Sequence, residues 1–256
     1  MRTVIFILAL LCTVYALEQN VTDSSLSFER LVDIEETATK AVRYDLLSFE
    51  ERMSQNLKVN LEGLKKEALG DIYNTINGTL EDVNLSIHKE KKEGKNVDEC
   101  YYYAKNNLES KSTNAIAELE ICIQNGYTAM EGPLAVVVDS IQMTEKLLIS
   151  LNAMIPICNF TSSITEQASH KEACILRSLY ITRNLLKRVA RNSGEATTTA
   201  TGTYAKTFIN VKNCIIKNTV ETSIFSMNIV NYTDNCVSNV LKNDPKTIIE
   251  PTSGDP

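Results

Sequence analysis

Apolar residues recur every three or four positions along the first third of the chain, and no proline occurs between Leu17 and Gly132. One apolar stripe makes 16 steps over 59 residues, a mean spacing of about 3.7 residues, which is the period of a helix. The spacing exceeds the 3.5 of a left-handed coiled coil and is close to that of an eleven-residue repeat. The stripe consists of Phe28, Leu31, Ile34, Ala38, Val42, Leu46, Phe49, Met53, Leu57, Leu61, Leu64, Ala68, Ile72, Ile76, Leu80, Val83 and Ile87.

This amphipathic segment has two interpretations. The first is that its apolar face docks on the rest of the protein or on a second copy. The second is reversible lipid binding, because eleven-residue amphipathic repeats suit a membrane interface. Gly63, Gly70 and Asn77-Gly78 are positions where the helix could bend or break.

Four more helices are predicted after a charged linker, over about 98–130, 134–155, 163–193 and 204–242. We expect a turn at Gly132-Pro133 and a loop after Pro156. Ser163 and Glu166 fit a capping box at the start of the third of these helices. The helix over 134–155 is apolar nearly all round and should be buried, and the Thr-rich stretch 196–203 should be a flexible surface loop.

The spacing of six cysteines predicts how two of these helices are joined. Cys100 and Cys122 are 22 residues apart, and so are Cys214 and Cys236, so each pair stays on one face of a helix. Two such antiparallel helices can be cross-linked twice, Cys100 to Cys236 and Cys122 to Cys214. Cys158 would then pair with Cys174. The main alternative joins Cys122 to Cys174, since bonded cysteines need Cα atoms within about 7 Å.

Several features predict a secreted, extracellular protein. Residues 1–16 read as a signal peptide, which would remove Cys12 and leave an even number of cysteines for disulfides. No later stretch is apolar and long enough to predict a transmembrane segment. Five sequons predict N-glycosylation: Asn20, Asn77, Asn84, Asn159 and Asn231.

Charge narrows the range of partners. The net charge is −6, and acidic and basic residues are interspersed, which argues against a nucleic-acid partner. The densest charged run, 88–95, alternates Glu with Lys and is predicted to be a solvated linker, with a heparin or phospholipid contact as the alternative.

The chain shows no established catalytic motif, phosphate-binding loop, cofactor signature or zinc-ligand spacing, so we predict a non-enzymatic protein without cofactor or metal. His170 is expected to face solvent on a helix. Consecutive helical residues point about 100° apart, so Tyr101, Tyr102 and Tyr103 should give one buried and two half-exposed rings. Core packing is expected for Met143, Met154 and Met227.

The layout Cys100, Cys122, Cys158, Cys174, Cys214, Cys236 in a helical segment behind a signal peptide resembles the insect secreted proteins with a TsetseEP domain. The resemblance covers about 98–242, and it implies a secreted, gut-associated, non-enzymatic protein. The Glu-Pro repeat tail of the tsetse midgut protein is missing, since Glu250-Pro251 is the single such dipeptide.

The sequence therefore predicts an all-α fold: a long amphipathic helical segment followed by a disulfide-linked antiparallel helical bundle. The expected organisation is a signal peptide (1–16), the amphipathic segment with its linker (17–96), the six-cysteine bundle (97–244) and a disordered tail (245–256). The predicted function is a secreted glycoprotein that binds a protein, a glycan or itself. The alternative is a carrier of lipid or another apolar ligand.

Overall fold

Three long α-helices make up the fold, as seen in a computed structural model that describes residues 28–160 and 167–243. They are α1 (Phe28–Lys92), α2 (Asp98–Phe160) and α3 (Gln167–Asn243), and the described residues contain no strand. The all-α, disulfide-linked fold class is thus confirmed. The predicted signal peptide, the Asn20 sequon, the Ser163–Glu166 capping box and the tail lie outside the described residues.

The predicted number of helices is wrong, because two predicted breaks do not occur. Pro133 and Pro156 both lie inside α2, which has no turn at Gly132-Pro133. The predicted loop over 196–203 lies inside α3, where Ala196 and Ala200 are buried. Here core packing outweighs the weak local preferences of threonine and glycine and the larger cost, about 3 kcal/mol, of a proline inside a helix.

Hydroxyl groups in the Thr-rich stretch are satisfied within the helix itself. Thr198 Oγ1 donates to the Gly194 carbonyl at 2.8 Å, and Thr201 Oγ1 donates to the Thr197 carbonyl at 2.8 Å. Such bonds to the preceding turn let threonine remain inside a helix without leaving a polar group unpaired. A Thr-rich composition therefore does not exclude a helix at this place.

Two compact units divide the chain, and each takes a part of all three helices. Among the described residues, unit 1 comprises 28–58, 128–160 and 167–206, and unit 2 comprises 59–127 and 207–243. The predicted boundary between residues 96 and 97 is therefore not a boundary between compact units. The reason is that the apolar line of α1 is buried against α2 and α3 instead of forming a segment of its own.

Buried positions in unit 1 follow a seven-residue repeat, which is the spacing of a left-handed coiled coil. Its apolar clusters draw on all three helices, for example Val42 with Val137 and Leu186, and Val32 with Leu151 and Ile175. The repeat on α3 consists of Ile175, Thr182, Val189 and Ala196, interleaved with Leu186, Ser193 and Ala200.

Buried positions in unit 2 follow an eleven-residue repeat, which favours right-handed winding. On α1 the repeat includes Leu61, Ile72 and Val83. On α3 much of the buried line is polar, so unit 2 has a more polar core than its helical pattern alone would suggest. That line consists of Thr207, Val211, Ile215, Asn218, Thr222, Ser226, Ile229, Thr233 and Val237.

The predicted stripe of α1 is confirmed from Val42 onwards in most of its positions but shifts near its start. There Val32, Glu35 and Thr39 are buried, whereas Leu31 and Ile34 are only half-buried. The apolar pattern of the sequence does not reveal this shift, because two of the three core positions are polar. Thr39 Oγ1 donates to the Glu35 carbonyl at 2.7 Å, which satisfies it inside the core.

The segment 134–155 is not the buried centre that we predicted. Val137, Leu147 and Leu151 are buried, but Val136 and Ile149 are 51% and 64% exposed. In a unit of three helices each helix buries one face, so an all-round apolar helix necessarily leaves part of its apolar surface outside.

A short turn over 93–97 joins α1 to α2. Gly94 adopts φ +81°, and its amide donates to the Lys91 carbonyl at 2.9 Å, closing the end of α1. Lys95 Nζ donates to carboxylates of Glu90 and Glu93 at 2.7 and 2.6 Å. The charged run is thus partly helix and partly turn: 88–92 belong to α1.

Candidate functional site

Three disulfides fix α2 against α3. Cys100 pairs with Cys236 and Cys122 with Cys214, each with Cα atoms 5.9 Å apart, and both pairs lie in unit 2. The third joins Cys158 to Cys174 in unit 1, with Cα atoms 5.7 Å apart. The nested pairing that the sequence predicted is confirmed, and the alternative of Cys122 with Cys174 is wrong.

Apart from the backbone of the turn over 93–97, only non-covalent contacts hold α1 within the described part of the chain, since every disulfide there links α2 to α3. In unit 1 Arg183 Nε donates to Glu35 Oε1 at 3.0 Å, and the Glu35 side chain is only 5% exposed. In unit 2 Lys65 Nζ lies 2.6 Å from Glu120 Oε1. These two ion pairs link α1 to α3 and to α2, respectively, and the more exposed Lys65–Glu120 pair is the weaker link.

Two groups at the α1–α2 contact of unit 2 have shifted pKa values. The hydrogen bond to Glu120 raises the pKa of the Lys65 ammonium and outweighs the desolvation, which lowers it. Desolvation raises the pKa of the Tyr127 hydroxyl, and the nearby Glu62 carboxylate raises it further. Tyr127 donates to Glu62 Oε1 at 3.4 Å. The shifts reflect contacts between helices and nominate no acid or base for catalysis.

An exposed apolar line runs along α3 in unit 2. We call it the α3 stripe. It consists of Ile209, Ile216, Val220, Ile224 and Met227, which are between 48% and 58% exposed. At eleven residues per three turns these positions lie about 160° around the helix from its buried line. The α3 stripe therefore faces away from the core of unit 2.

Tyrosines form a second exposed cluster in unit 2, close to the Cys100–Cys236 disulfide. The Tyr103 and Tyr232 rings stack with centroids 4.2 Å apart, and Tyr101 meets Tyr102 edge-on at 5.7 Å. Tyr102 and Tyr103 are 58% and 44% exposed, and Tyr101 is half-buried. The expected fully buried ring is therefore absent, because core positions on either side are filled by Cys100 and Ala104.

Four predicted glycosylation sites lie within the described helices, and each asparagine is exposed. They are Asn77 and Asn84 on α1, Asn159 on α2 and Asn231 on α3. Their positions are compatible with attached glycans, and occupancy itself stays a prediction.

The described residues bring together no catalytic constellation that we recognise. Among them no group of three or more His, Cys, Asp or Glu side chains could hold a metal ion. His170 is exposed on α3, as predicted. Met154 is buried, but the core role expected for Met143 and Met227 is wrong, since they are 50% and 58% exposed. No helix within the described ranges is long and apolar enough to cross a membrane.

Comparisons with known proteins identify no relative. No family model matches the chain, and neither the curated proteins nor the solved structures include a match. The candidate site therefore rests on geometry alone.

Sequence reasoning missed the α3 stripe, although a signal for it existed. Apolar residues of α3 fall on two lines, and the first contains Val211 and Ile215. The second line contains Ile216 and Val220, directly beside the first in sequence. Two apolar lines on one helix indicate two contact surfaces, but sequence alone does not say which line faces the core.

Proposed function

We propose that the protein is a secreted, glycosylated, non-enzymatic helical protein that acts by binding, and that the α3 stripe is its contact surface. The observation that carries the proposal is the position of five exposed apolar side chains opposite the buried line of a disulfide-linked helix. Exposed apolar residues scattered singly are ordinary, whereas several aligned on one helix face, as from Ile216 to Met227, are typical of an interface.

The disulfides support this proposal because they reduce the cost of ordering a binding surface. Cys214 lies within the stretch that carries the α3 stripe, and Cys236 lies beyond its end. A helix already fixed in place loses little conformational freedom when a partner binds, so more of the contact energy appears as affinity.

The size of the α3 stripe indicates a contact of modest strength. Fully burying one such side chain gives about 1.5–3 kcal/mol, and these are already about half buried. Five of them supply roughly 5 kcal/mol before the cost of association is subtracted. A specific partner must therefore also contact flanking groups such as Lys217 and Glu221, which are exposed beside the α3 stripe.

Light scattering coupled to size exclusion tests the self-association form of this proposal on the secreted, glycosylated protein. We expect a concentration-dependent dimer that Ile216→Glu with Val220→Glu abolishes. Val59→Glu is the matched control, because Val59 is 63% exposed on α1, away from the α3 stripe. A strict monomer at high concentration, or equal behaviour of both variants, would overturn self-association through this surface.

The alternative function is a carrier of lipid or another apolar ligand. The way in which α1 is held in the fold supports this alternative. Because no disulfide reaches α1, this helix could leave the core and expose its apolar line to a ligand. The carrier proposal predicts co-purifying lipid in native mass spectra and increased helicity on vesicles. An empty protein with an unchanged circular dichroism spectrum on vesicles would exclude it.

Extracellular location and an insect gut or body-fluid setting are further parts of the proposal. Three disulfides support an oxidising compartment. The gut setting rests on the resemblance of the cysteine layout to TsetseEP-type proteins. Detection of the cleaved protein in the medium of an expressing insect cell line tests secretion directly.

A further inference from the structure

The four sequons within the described helices share one relationship: a large apolar residue lies four positions before each asparagine. The pairs are Tyr73 with Asn77, Leu80 with Asn84, Ile155 with Asn159, and Met227 with Asn231. Residues at this spacing are neighbours on a helix surface. Each sequon asparagine is therefore next to an apolar side chain.

Helix geometry places the asparagine side chain over that neighbour. Every Cα–Cβ bond in an α-helix tilts toward the helix N-terminus, so a side chain covers the turn that precedes it. A glycan on Asn77 would thus begin over Tyr73, and a glycan on Asn231 would begin over Met227.

Buried threonines fix the outward direction of two of these asparagines. Thr79 and Thr233, the third residues of their sequons, are 8% and 1% exposed. Thr79 Oγ1 donates to the Thr75 carbonyl and Thr233 Oγ1 to the Ile229 carbonyl, each at 2.8 Å. Two residues rotate about 200° around a helix, so a core threonine places its asparagine on the outer surface.

Exposure separates the four pairs into two kinds. Tyr73 and Met227 are 48% and 58% exposed, whereas Leu80 and Ile155 are half-buried. An N-acetylglucosamine residue offers an apolar face of C–H groups and an acetyl methyl group, which can pack on an aromatic ring or a thioether. Covering Tyr73 and Met227 would remove apolar surface from water.

We propose that the N-glycans at Asn77 and Asn231 fold back onto Tyr73 and Met227 and form part of the packed surface of unit 2. The inference rests on the proposed function, because N-glycans are attached only in the secretory pathway. It goes further in assigning a structural role to two sites, and it leaves Ile209 to Ile224 of the α3 stripe open to a partner.

A double-mutant cycle on the protein secreted from insect cells tests the inference. Asn77→Gln removes one glycan, Tyr73→Ser removes its apolar neighbour, and mass spectrometry measures occupancy at every site. We expect Asn77→Gln to lower the unfolding midpoint by about 2–4 °C with Tyr73 present, and by much less in the Tyr73→Ser background. The corresponding cycle with Met227→Ser and Asn231→Gln should show the same dependence of the glycan's effect on its apolar neighbour.

Leu85→Ser provides the matched control. Leu85 is 64% exposed, but it follows Asn84 directly. A helical side chain leans toward the preceding turn, so the Asn84 side chain leans away from Leu85. Its substitution should leave the effect of Asn84→Gln unchanged. Full occupancy at Asn77 and Asn231 with no coupling to Tyr73 or Met227 would overturn this inference and leave the proposed function standing. Empty sites at both positions in a secreted protein would overturn it too, and a chain that is not secreted would overturn both proposals.

Discussion

Asn218 on α3 donates a hydrogen bond from Nδ2 to the backbone carbonyl of Ala115 on α2, with 2.7 Å between nitrogen and oxygen. Both residues are buried in unit 2, at 4% and 0% exposure. Asn218 Oδ1 is also buried and has no hydrogen-bond partner. One amide thus joins two helices and also bears an unpaired acceptor, so its net effect on stability is small, while its directional bond favours one register of α3 against α2.

Substituting Asn218 tests this balance. Asn218→Leu removes the unpaired acceptor and fills similar space, so we expect a change of less than about 1.5 kcal/mol in unfolding free energy, of either sign. Asn218→Asp places a carboxylate against the Ala115 carbonyl and should cost about 3 kcal/mol or more. Urea denaturation of both variants at pH 7 measures the difference; equal stabilities would contradict the assignment of Asn218 to the core.

Two glycines should respond to alanine in opposite directions. A Cβ on Gly126 would lie 2.8 Å from Val211 Cγ2 and 3.0 Å from Leu61 Cδ1, inside the core of unit 2. Overpacking costs about 1–3 kcal/mol, which exceeds the gain of about 1 kcal/mol in helix propensity, so Gly126→Ala should destabilise. A Cβ on Gly70 would meet nothing within 4 Å, so Gly70→Ala should stabilise by about 0.5–1 kcal/mol. Thermal unfolding monitored by circular dichroism compares the two, and the same sign for both would contradict the packing around Gly126.

The Glu35–Arg183 ion pair should respond unequally to removal of its partners. The side chain of Glu35 is 5% exposed, whereas that of Arg183 is 31% exposed. Arg183→Met leaves a buried carboxylate without its guanidinium and should cost about 3 kcal/mol. Glu35→Gln leaves a cation that can turn to water and should cost about 1 kcal/mol. Chemical denaturation of both variants checks the order, and a larger loss from Glu35→Gln would show that the burial is assigned to the wrong partner.

Alkaline pH should weaken the contact between α1 and α2 in unit 2. The pKa values of Lys65 and Tyr127 are raised in the folded state. A raised folded-state pKa stabilises the fold below the unfolded pKa, about 10 for both groups, and that contribution is lost as pH rises through the folded pKa. The urea midpoint of the native protein should therefore fall between pH 9 and pH 11 by more than that of Lys65→Met with Tyr127→Phe. Parallel decreases would exclude these groups as the cause.

Disulfide mapping of the unreduced protein should yield three cross-linked peptide pairs: Cys100 with Cys236, Cys122 with Cys214, and Cys158 with Cys174. Replacing one pair by alanine should cost about 3–5 kcal/mol in the chain-entropy model, least for Cys158 with Cys174, whose loop is shortest. Thermal unfolding of the three double variants measures this cost. A peptide that joins Cys122 to Cys174 would contradict the described fold.

Sequence alone predicted the helical class, the apolar line of α1 and the pairing of all six cysteines, because equal spacing and helical periodicity are strong constraints. It failed where local and tertiary preferences disagree. Pro133 and the threonines near Thr198 favour breaks locally, yet α2 and α3 continue through them because buried neighbours keep a regular repeat. Thr222 and Asn218 were not assigned to the core, since polar residues carry no apolar signal. The α3 stripe was missed because an apolar line in the sequence does not show whether it faces the core or solvent.

The turn over 93–97 and the lack of a disulfide to α1 together determine what a single proteolytic cut would do. Cleavage there would leave 28–92 attached to the remainder by packing and ion pairs alone, whereas a cut between α2 and α3 would leave the pieces joined by sulfur. A nicked molecule could exchange its first helix for a synthetic peptide of the same sequence. Such fragment complementation would make α1 a replaceable subunit, open to labelling and to redesign without disturbing the cross-linked pair.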